Sequence, residues 1–421
     1  MNSSSKIPWR VWAIWGLGAT FFLYAFLQRV ATSVMVPDLM AAFDVGASAL
    51  GGLSAIYFYA YMAVQLPTGI LASYWGPGRL LSTAALLSAA GGFIFATADS
   101  FFIAIIGKLL VGTGAGFGFV STLRFAAVFF PAERMALLSG MTMMMGMAGG
   151  VIGQAPLAIL VANNGWRTTM VGVATFSVFV ACLIWLLADD QKLEFTGGKI
   201  QSPRISKVLT RALIKTQTWI IAGYGFFIVT TMFVFSGLWG VPYLVQIHKF
   251  SLPEAAFSAS LILIGWGLMA PLMGWLSDRF RRRKPALVIS ALGSFATITP
   301  AVYVPELEPF TIKTLLLMNG ISISGMAVCF TAAREHNDTA STGTTLALVN
   351  LSVIAAGAIM QPITGWLLDI GWSSTMFEGA RIYSPETFQS AFITLPSSAF
   401  LALILALCVK ETHAKQLDAN V

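Results

Sequence analysis

The chain has 421 residues, of which 57% are hydrophobic and only 10% are charged, and its mean hydropathy is +0.78. A soluble domain carries roughly 25% charged residues, so this composition excludes a soluble globular protein. The net charge of +7 does not indicate nucleic-acid binding, because basic membrane proteins ordinarily carry their excess charge in cytoplasmic loops. We therefore expect a lipid bilayer as partner and no nucleic acid.

Twelve long apolar segments follow one another along the chain. About 20 apolar residues cross a bilayer as a helix, so the predicted fold class is an all-α membrane protein with 12 transmembrane helices. The first segment is longer than the apolar core of a signal peptide, which has about 7 to 15 residues, and we keep it as a helix. The predicted spans are residues 11–36, 47–72, 80–97, 101–124, 135–161, 168–188, 218–241, 256–277, 285–303, 312–331, 341–368 and 388–409.

Basic residues are distributed unequally among the joints between these spans. If the amino terminus is inside, the outer joints hold only Arg167, Lys249, Lys313 and Arg381. The inner joints then collect Arg79, Arg134, six basic residues between Lys192 and Lys215, the cluster from Arg279 to Lys284, Arg334, Lys410 and Lys415. The positive-inside rule predicts a multi-pass protein of the cytoplasmic (inner) membrane with both termini in the cytoplasm.

An internal repeat divides the chain into two halves. The stretch that begins at Gly69 resembles the one that begins at Gly274, 205 residues later, and Pro156 has a counterpart at Pro362 after 206 residues. Residues 189–217 are polar and read as a cytoplasmic linker between six-helix bundles at residues 1–188 and 218–421. Parallel repeats of six spans are typical of transporters whose substrate site lies between the halves.

The second copy of the repeat matches the loop signature Gly-x-x-x-Asp-Arg-x-Gly-Arg-Arg at Gly274, Asp278, Arg279, Arg282 and Arg283. In the first copy Ser73 and Tyr74 stand where the signature has Asp and Arg. With these residues the chain resembles the major facilitator superfamily over nearly its whole length, and it is most similar to bacterial organic-anion and sugar-phosphate-type permeases. The resemblance implies alternating access, with the first and fourth helices lining a central cavity.

Arg29 and Lys108 lie inside apolar segments, where a charge is costly. An arginine at the centre of a membrane helix costs at least about 2.5 kcal/mol on insertion scales. Each residue lies seven positions from the outer end of its span, which is roughly 10 Å below the outer face. The shared depth and the resemblance predict that both side chains bind one anion. The alternative is that both reach the outer headgroups by snorkelling.

Polar side chains on the same and other helices extend the predicted binding site. Gln28 and Tyr24 neighbour Arg29 on the first helix, and residues at a spacing of four form one stripe on the second. The predicted substrate-binding set is Arg29, Lys108, Gln28, Tyr24, Tyr57, Tyr61, Gln65, Trp239, Tyr243, Trp266, Asn350 and Gln361.

The loop signature also suggests a gate at the cytoplasmic face. A carboxylate near helix ends, with arginines able to pair across the face, favours a state closed on that side. The predicted gating residues are Asp278, Arg279, Arg282 and Arg124. The alternative is that the basic cluster only sets the topology.

Two acids that the resemblance leads one to expect are missing. In the anion–cation symporter group the first-helix pattern Asp-Arg corresponds to Gln28-Arg29, the fourth-helix arginine corresponds to Lys108, and a further carboxylate would fall at Ala115. No Asp, Glu or His lies deep in the first six spans, so no proton relay is visible in the sequence. Anion exchange, uniport and entry of a proton on the substrate itself stay open.

The sequence thus predicts a secondary active or facilitative transporter of a small organic anion, either a carboxylate or a phosphorylated metabolite. We expect a monomer, a symporter or antiporter with protons as a candidate coupling ion, no enzymatic activity, no cofactor and no metal. Hydrolase and metalloprotease motifs such as Gly-x-Ser-x-Gly and His-Glu-x-x-His are not found in the sequence. Two alternatives stay open, an exporter of hydrophobic compounds and a transporter-like membrane sensor.

Overall fold

The computed structural model describes residues 7–188, 214–304, 306–337 and 341–416. Within these ranges 12 helical segments are long and apolar enough to cross a membrane, which confirms the predicted fold class. The predicted linker at 189–217 lies outside the described residues except for its last four positions.

The elements before the linker alternate long helices with short breaks. They are α1 (Trp9–Val30), a 3-10 turn (Ala31–Val34), α2 (Val36–Phe43), α3 (Ala47–Trp75), α4 (Pro77–Ala96), α5 (Phe101–Phe129), a second 3-10 turn (Ala132–Arg134), α6 (Met135–Ile152), α7 (Ala155–Asn164) and α8 (Trp166–Leu187).

The elements after the linker include a π-helical segment and one small hairpin. They are α9 (Thr216–Ile228), the π-helix (Met232–Trp239), α10 (Gly240–Gln246), α11 (Leu252–Phe280), α12 (Lys284–Tyr303), α13 (Pro309–Ile323), α14 (Met326–Glu335), α15 (Thr342–Ile370), β1 (Met376–Phe377), β2 (Ala380–Arg381), α16 (Pro385–Ala391) and α17 (Thr394–Cys408). Strands β1 and β2 pair antiparallel, with Met376 opposite Arg381.

Local sequence explains where several helices begin. The Ser100 side chain accepts a hydrogen bond from the Ile103 amide at the start of α5, and Ser251 caps α11 in the same way. Such caps satisfy amides that the first helical turn leaves without partners. Helix α4 follows Gly76, whose φ of +82° suits glycine, and starts with Pro77, which has no amide hydrogen to satisfy.

The chain forms two compact units. Unit 1 comprises Met1–Met35 and Ile56–Lys199, and unit 2 comprises Val36–Ala55 and Ile200–Val421. The segment 36–55, which holds α2 and the first turns of α3, therefore belongs to unit 2. The division at residues 188 and 218 that the repeat predicts stays a prediction.

Helix α5 is central to unit 1. It packs against α1 and α4, and α4 packs in turn against α8. A Cβ at Gly112 would clash with the Tyr57 carbonyl oxygen, and one at Gly114 would clash with that of Ala84. Small residues thus allow α3 and α4 to approach α5 closely, as expected of packed membrane helices.

In unit 2, α11 packs against α13, and α9 packs against α15 and α17. The core of this unit includes the fully buried side chains of Trp239, Tyr224 and Phe235.

Candidate functional site

Arg29 lies in the last turn of α1, just before the chain tightens into the 3-10 turn. A cation at this end of a helix interacts favourably with the last carbonyl groups. The side chain is only 9% exposed, although it carries a permanent charge. Its position in the sequence therefore brings a guanidinium into the interior of unit 1.

Four aromatic rings surround the Arg29 guanidinium. Its central carbon lies 4.2 Å from the ring centre of Phe26 and 5.2 Å from that of Tyr61. The ring centres of Phe58 and Tyr57 lie at 5.8 and 6.0 Å. Contacts of this kind are favourable by about 0.5 to 2 kcal/mol, more where the cation is desolvated.

No carboxylate forms an ion pair with Arg29 among the residues that the structure describes. Its buried Nε atom also lacks a hydrogen-bond partner within that part of the chain. A buried charge is normally paired, because leaving it alone costs several kcal/mol. The arrangement is therefore chemically suited to receive an anion.

The tyrosines of α3 are held in place beside this cation. The Tyr57 hydroxyl donates a hydrogen bond to the Ala25 carbonyl at 2.8 Å, and the rings of Tyr57 and Tyr61 stack with centres 6.2 Å apart. Gln65, the third residue of the predicted stripe, lies one turn further along the same helix and is half-buried. The structure thus brings two of the three stripe residues to Arg29.

Gln28 and Tyr24 connect α1 to α4. The Gln28 amide donates to the Tyr24 hydroxyl at 2.9 Å, and that hydroxyl lies 3.4 Å from the Ser88 carbonyl oxygen, to which it donates. The Oε1 atom of Gln28 is buried and accepts no hydrogen bond from the described residues. These two predicted residues therefore contact each other.

Lys108 is the second buried cation of unit 1. It is 1% exposed, and its Nζ atom lies 4.7 Å from the ring centre of Phe95 on α4. The rings around Arg29 belong instead to α1 and α3. The joint binding of one anion by both cations stays a prediction.

The predicted residues in unit 2 mostly bond to the backbone. Trp239 donates from Nε1 to the Gln361 carbonyl at 3.0 Å, Gln361 donates from Nε2 to the Phe233 carbonyl at 2.7 Å, and Tyr243 donates to the Ala301 carbonyl at 3.2 Å. The Gln361 Oε1 and Trp266 Nε1 atoms are buried without a partner among the described residues. Asn350 is half-buried on α15.

An ion-pair cluster surrounds the buried Arg283 in unit 2, between the end of α11 and the start of α12. Arg283, which is 3% exposed, donates to Asp278 at 2.6 Å and to Glu335 at 2.7 Å. The bonds to Glu335 raise the pKa of Arg283 above its ordinary value, and Asp278 adds to the shift. Of the predicted gating residues, Asp278 is in this cluster, while the side chains of Arg279 and Arg282 are exposed.

Sequence reasoning did not single out Glu335, and it assigned no gating role to Arg283. The signal for Arg283 was its place in the loop signature, whereas Glu335 lies 52 residues away and only the fold brings it close. The fourth predicted gating residue, Arg124, is half-buried on α5 in unit 1.

A second carboxylate that the sequence did not highlight, Asp369, lies at the end of α15. It accepts hydrogen bonds from the amides of Ala47 at 2.9 Å and Ser48 at 2.8 Å, which start α3. Arg381 and the Tyr383 hydroxyl each donate to it at 3.0 Å. Burial, and next the charge of Asp369, raise the pKa of Tyr383.

A cavity of about 560 Å³ opens in unit 1 between α1, α7 and α8. Its walls are mainly apolar, with Leu23, Leu160 and Phe176 among the lining residues, and Tyr24 is its link to the polar residues of α1. Neither Arg29 nor Lys108 lines it.

Comparison with known proteins shows one family and one fold. Residues 17–333 and 225–420 match the Major Facilitator Superfamily. A probable sulfoacetate transporter of Cupriavidus necator is 23% identical over 314 residues, which cover 70% of this chain and 73% of that protein. A probable hexose phosphate transport protein of Chlamydia pneumoniae is 20% identical over 434 residues, covering 95% and 90%.

Among solved structures, a bacterial homologue of the human lysosomal transporter Spinster, in its inward-facing and unoccupied conformation, has the same fold. The TM-score is 0.78 at 16% identity, and the match covers 97% of this chain and 96% of that one.

Proposed function

Because this chain belongs to the Major Facilitator Superfamily, we propose that it is a secondary transporter that moves a small organic anion across the membrane by alternating access. The observation that carries the proposal is the buried guanidinium of Arg29, which has no acid partner among the described residues. An anionic substrate would supply the missing negative charge. The similarity to a probable sulfoacetate transporter and a probable hexose phosphate transport protein supports this substrate class.

The proposal also covers the oligomeric state, the membrane, the orientation and the coupling ion. We propose that the protein is a monomer of the cytoplasmic (inner) membrane with both termini inside, that it transports without catalysing a reaction, and that protons are its coupling ion. The unequal distribution of basic residues supports the orientation.

We assign to Arg29 the direct contact with the anion and to Tyr57 and Tyr61 the wall of its site. The other predicted binding residues are proposed to line the path or to hold the helices that form it. The predicted gate at Asp278, Arg279, Arg282 and Arg124 is kept with Arg283 added, because Arg283 joins Asp278 to Glu335.

A thermal-shift screen of the purified protein tests the proposal. The compounds are sulfoacetate, glucose 6-phosphate, inorganic phosphate and a lipophilic cation. A ligand at 100 times its Kd stabilises the native state by about 2.7 kcal/mol, so a bound anion raises the melting temperature measurably. We expect at least one anion to stabilise the wild type, and Arg29→Gln to weaken its binding at least about tenfold, because hydrogen bonds to charged groups contribute about 1.5 to 3 kcal/mol.

The matched control is Arg167→Gln. Arg167 also lies over an aromatic ring, that of Trp166, but it donates to the Ala98 carbonyl at the outer end of the unit. This variant should bind the anion as the wild type does. Equal binding by Arg29→Gln would contradict the proposal, and stabilisation by the lipophilic cation alone would favour the exporter.

A further inference from the structure

Lys108 is a buried cation that the anion site does not explain. It is 1% exposed, and neither a hydrogen bond nor an ion pair joins it to another residue in the described part of the chain. Its Nζ atom lies over the face of the Phe95 ring, 4.7 Å from the ring centre. An aromatic face offsets only part of the cost of burying an ammonium group.

The packing of α1 on α5 places Lys108 at the level of Arg29. A Cβ at Gly18 would touch Thr122, and one at Gly118 would touch Phe21, so the two helices run antiparallel. Continuing this register puts Lys108 opposite the end of α1, about one helical turn or less from Arg29 along the axis. Two basic side chains therefore share one layer of unit 1.

The helices packed around Lys108 offer it no acid. Helix α5 packs against α1, α4 and α6, and against α3 through Gly112. None of these five helices contains Asp, Glu or His, and α6 has no charged or titratable side chain. The charged or titratable side chains on the other four are Arg10, Tyr24, Arg29, Tyr57, Tyr59, Tyr61, Tyr74, Arg79 and Arg124.

Lysine and arginine differ in what they can do in such a layer. A guanidinium keeps its proton under all physiological conditions, whereas a lysine ammonium releases its proton when it is desolvated or lies near another cation. Arg29 is therefore the permanent charge, and Lys108 is the group whose protonation state can follow the occupancy of the site.

We propose that Lys108 is the group that binds the coupling proton, an inference that rests on the proposed function. When the Arg29 site is empty, Lys108 is the neutral amine. When an anion binds at Arg29, its negative charge favours the ammonium form, and the amine lone pair takes up one proton from a hydronium ion of the solvent. One N–H bond forms, one O–H bond of the hydronium breaks, and a water molecule is left. One proton then moves with each anion, so transport of a monoanion is electroneutral.

An acceptor for that proton's hydrogen bond lies in the same layer. The Oε1 atom of Gln28 is buried, next to Arg29 in sequence, and accepts no hydrogen bond from the described residues. A protonated amine at this level would supply the missing donor. Gln28 would thus supply the acceptor, and the proton itself would lie on the lysine.

Proton uptake on binding tests the inference. Sulfoacetate, which has no titrating group near pH 8, is added to the purified full-length protein in weak buffer at pH 8 with a pH-indicator dye. We expect about one proton taken up per bound anion by the wild type. Lys108→Arg, which keeps a permanent charge, and Lys108→Met, which has none, should take up no proton. The control His248→Gln removes a half-buried histidine, whose pKa burial lowers below its ordinary value so that it carries no proton to exchange at pH 8, and this variant should keep the uptake.

A measurement without ligand makes the test independent of sulfoacetate binding. If Lys108 is neutral in the folded chain, the unfolded chain binds one more proton than the folded chain does. The equilibrium constant for folding then rises by up to about tenfold for each pH unit. The melting temperature of the wild type should therefore rise from pH 7 to 9.5 relative to that of Lys108→Met.

The outcomes separate the two proposals. The role of Lys108 would be overturned if the melting temperatures of the wild type and Lys108→Met changed equally from pH 7 to 9.5. It would also be overturned if Lys108→Met took up as many protons as the wild type, and neither result would affect the anion site. Unchanged anion binding by Arg29→Gln would instead overturn the anion site.

Discussion

At the scale of single residues, Arg29 shows how aromatic rings can hold a buried cation in a membrane helix. Burial in the membrane interior costs at least about 2.5 kcal/mol on insertion scales. Four rings lie within 6.0 Å of the guanidinium, and each desolvated cation–π contact recovers about 0.5 to 2 kcal/mol. The aromatic residues therefore offset much of the cost, and no carboxylate in the part of the chain that the structure describes serves as counter-ion.

Removing one of these rings should lower the stability of the folded protein. Tyr61→Leu takes away the ring at 5.2 Å, and we expect the unfolding free energy of the ligand-free protein to fall by about 0.5 to 2 kcal/mol. Tyr61→Phe keeps the ring and should melt close to the wild type. The measurement is thermal unfolding of both variants side by side, and equal melting temperatures for Leu and Phe would show that the ring does not stabilise the cation.

At the scale of elements, the start of α3 depends on a side chain far away in sequence. Its first amides, those of Ala47 and Ser48, bond to the Asp369 carboxylate, which Arg381 also contacts. A carboxylate at a helix amino terminus is favoured both by the free amides and by the helix dipole. This capping joins the start of α3 to unit 2, to which residues 36–55 belong, although residues 47–55 are part of the second predicted span.

Replacing that carboxylate should loosen the start of α3. The asparagine side chain of Asp369→Asn has one acceptor oxygen, whereas the aspartate has two, so one of the two amides loses its hydrogen-bond partner. The ion pair with Arg381 is lost as well. We expect hydrogen exchange at Ala47 and Ser48 to speed up at least about tenfold, since hydrogen bonds to charged groups contribute about 1.5 to 3 kcal/mol.

The control for this change is Asp44→Asn. Asp44 is exposed and has a φ of +51°, a conformation that asparagine also tolerates. Exchange at Ala47 and Ser48 should be as slow in this variant as in the wild type. Unchanged exchange in Asp369→Asn would show that the cap does not hold the helix start.

At the scale of the whole molecule, the carboxy-terminal segment ties together elements of unit 2 that are distant in sequence. Glu411 accepts hydrogen bonds from the amides of Arg283 and Lys284 at the start of α12, and the Thr412 hydroxyl donates to Glu335. Burial alone would raise the pKa of Glu411, but the backbone amides outweigh it and hold the pKa below its ordinary value.

This shift predicts a pH dependence of stability. Because the folded chain holds the Glu411 proton less tightly than the unfolded chain, the contribution of Glu411 is present above the ordinary glutamate pKa of about 4.3 and is lost as the pH falls through the lower folded value. The melting temperature of the wild type should therefore fall more steeply below about pH 5 than that of Glu411→Gln. Glu308→Gln, which changes an exposed glutamate, should follow the wild type.

The membrane class, the 12 spans, the family resemblance and the choice of Arg29 as a binding residue could all be predicted from the sequence. Each of these follows from the order of residues along the chain, because a helix long enough to cross the membrane and a charge inside it are local features. Lys108 was also found in this way, since its charge stands in an apolar segment.

The contacts between side chains could not be predicted in this way. In the structure Arg29 contacts the rings of Tyr57 and Tyr61. Lys108 lies over Phe95, and Arg283 pairs with Glu335. Side-chain contacts of this kind depend on how helices rotate and pack against each other, which the hydrophobic pattern of a membrane helix leaves open because lipid and protein interior are equally apolar. The Asp369 cap, across more than 300 residues, is the clearest case.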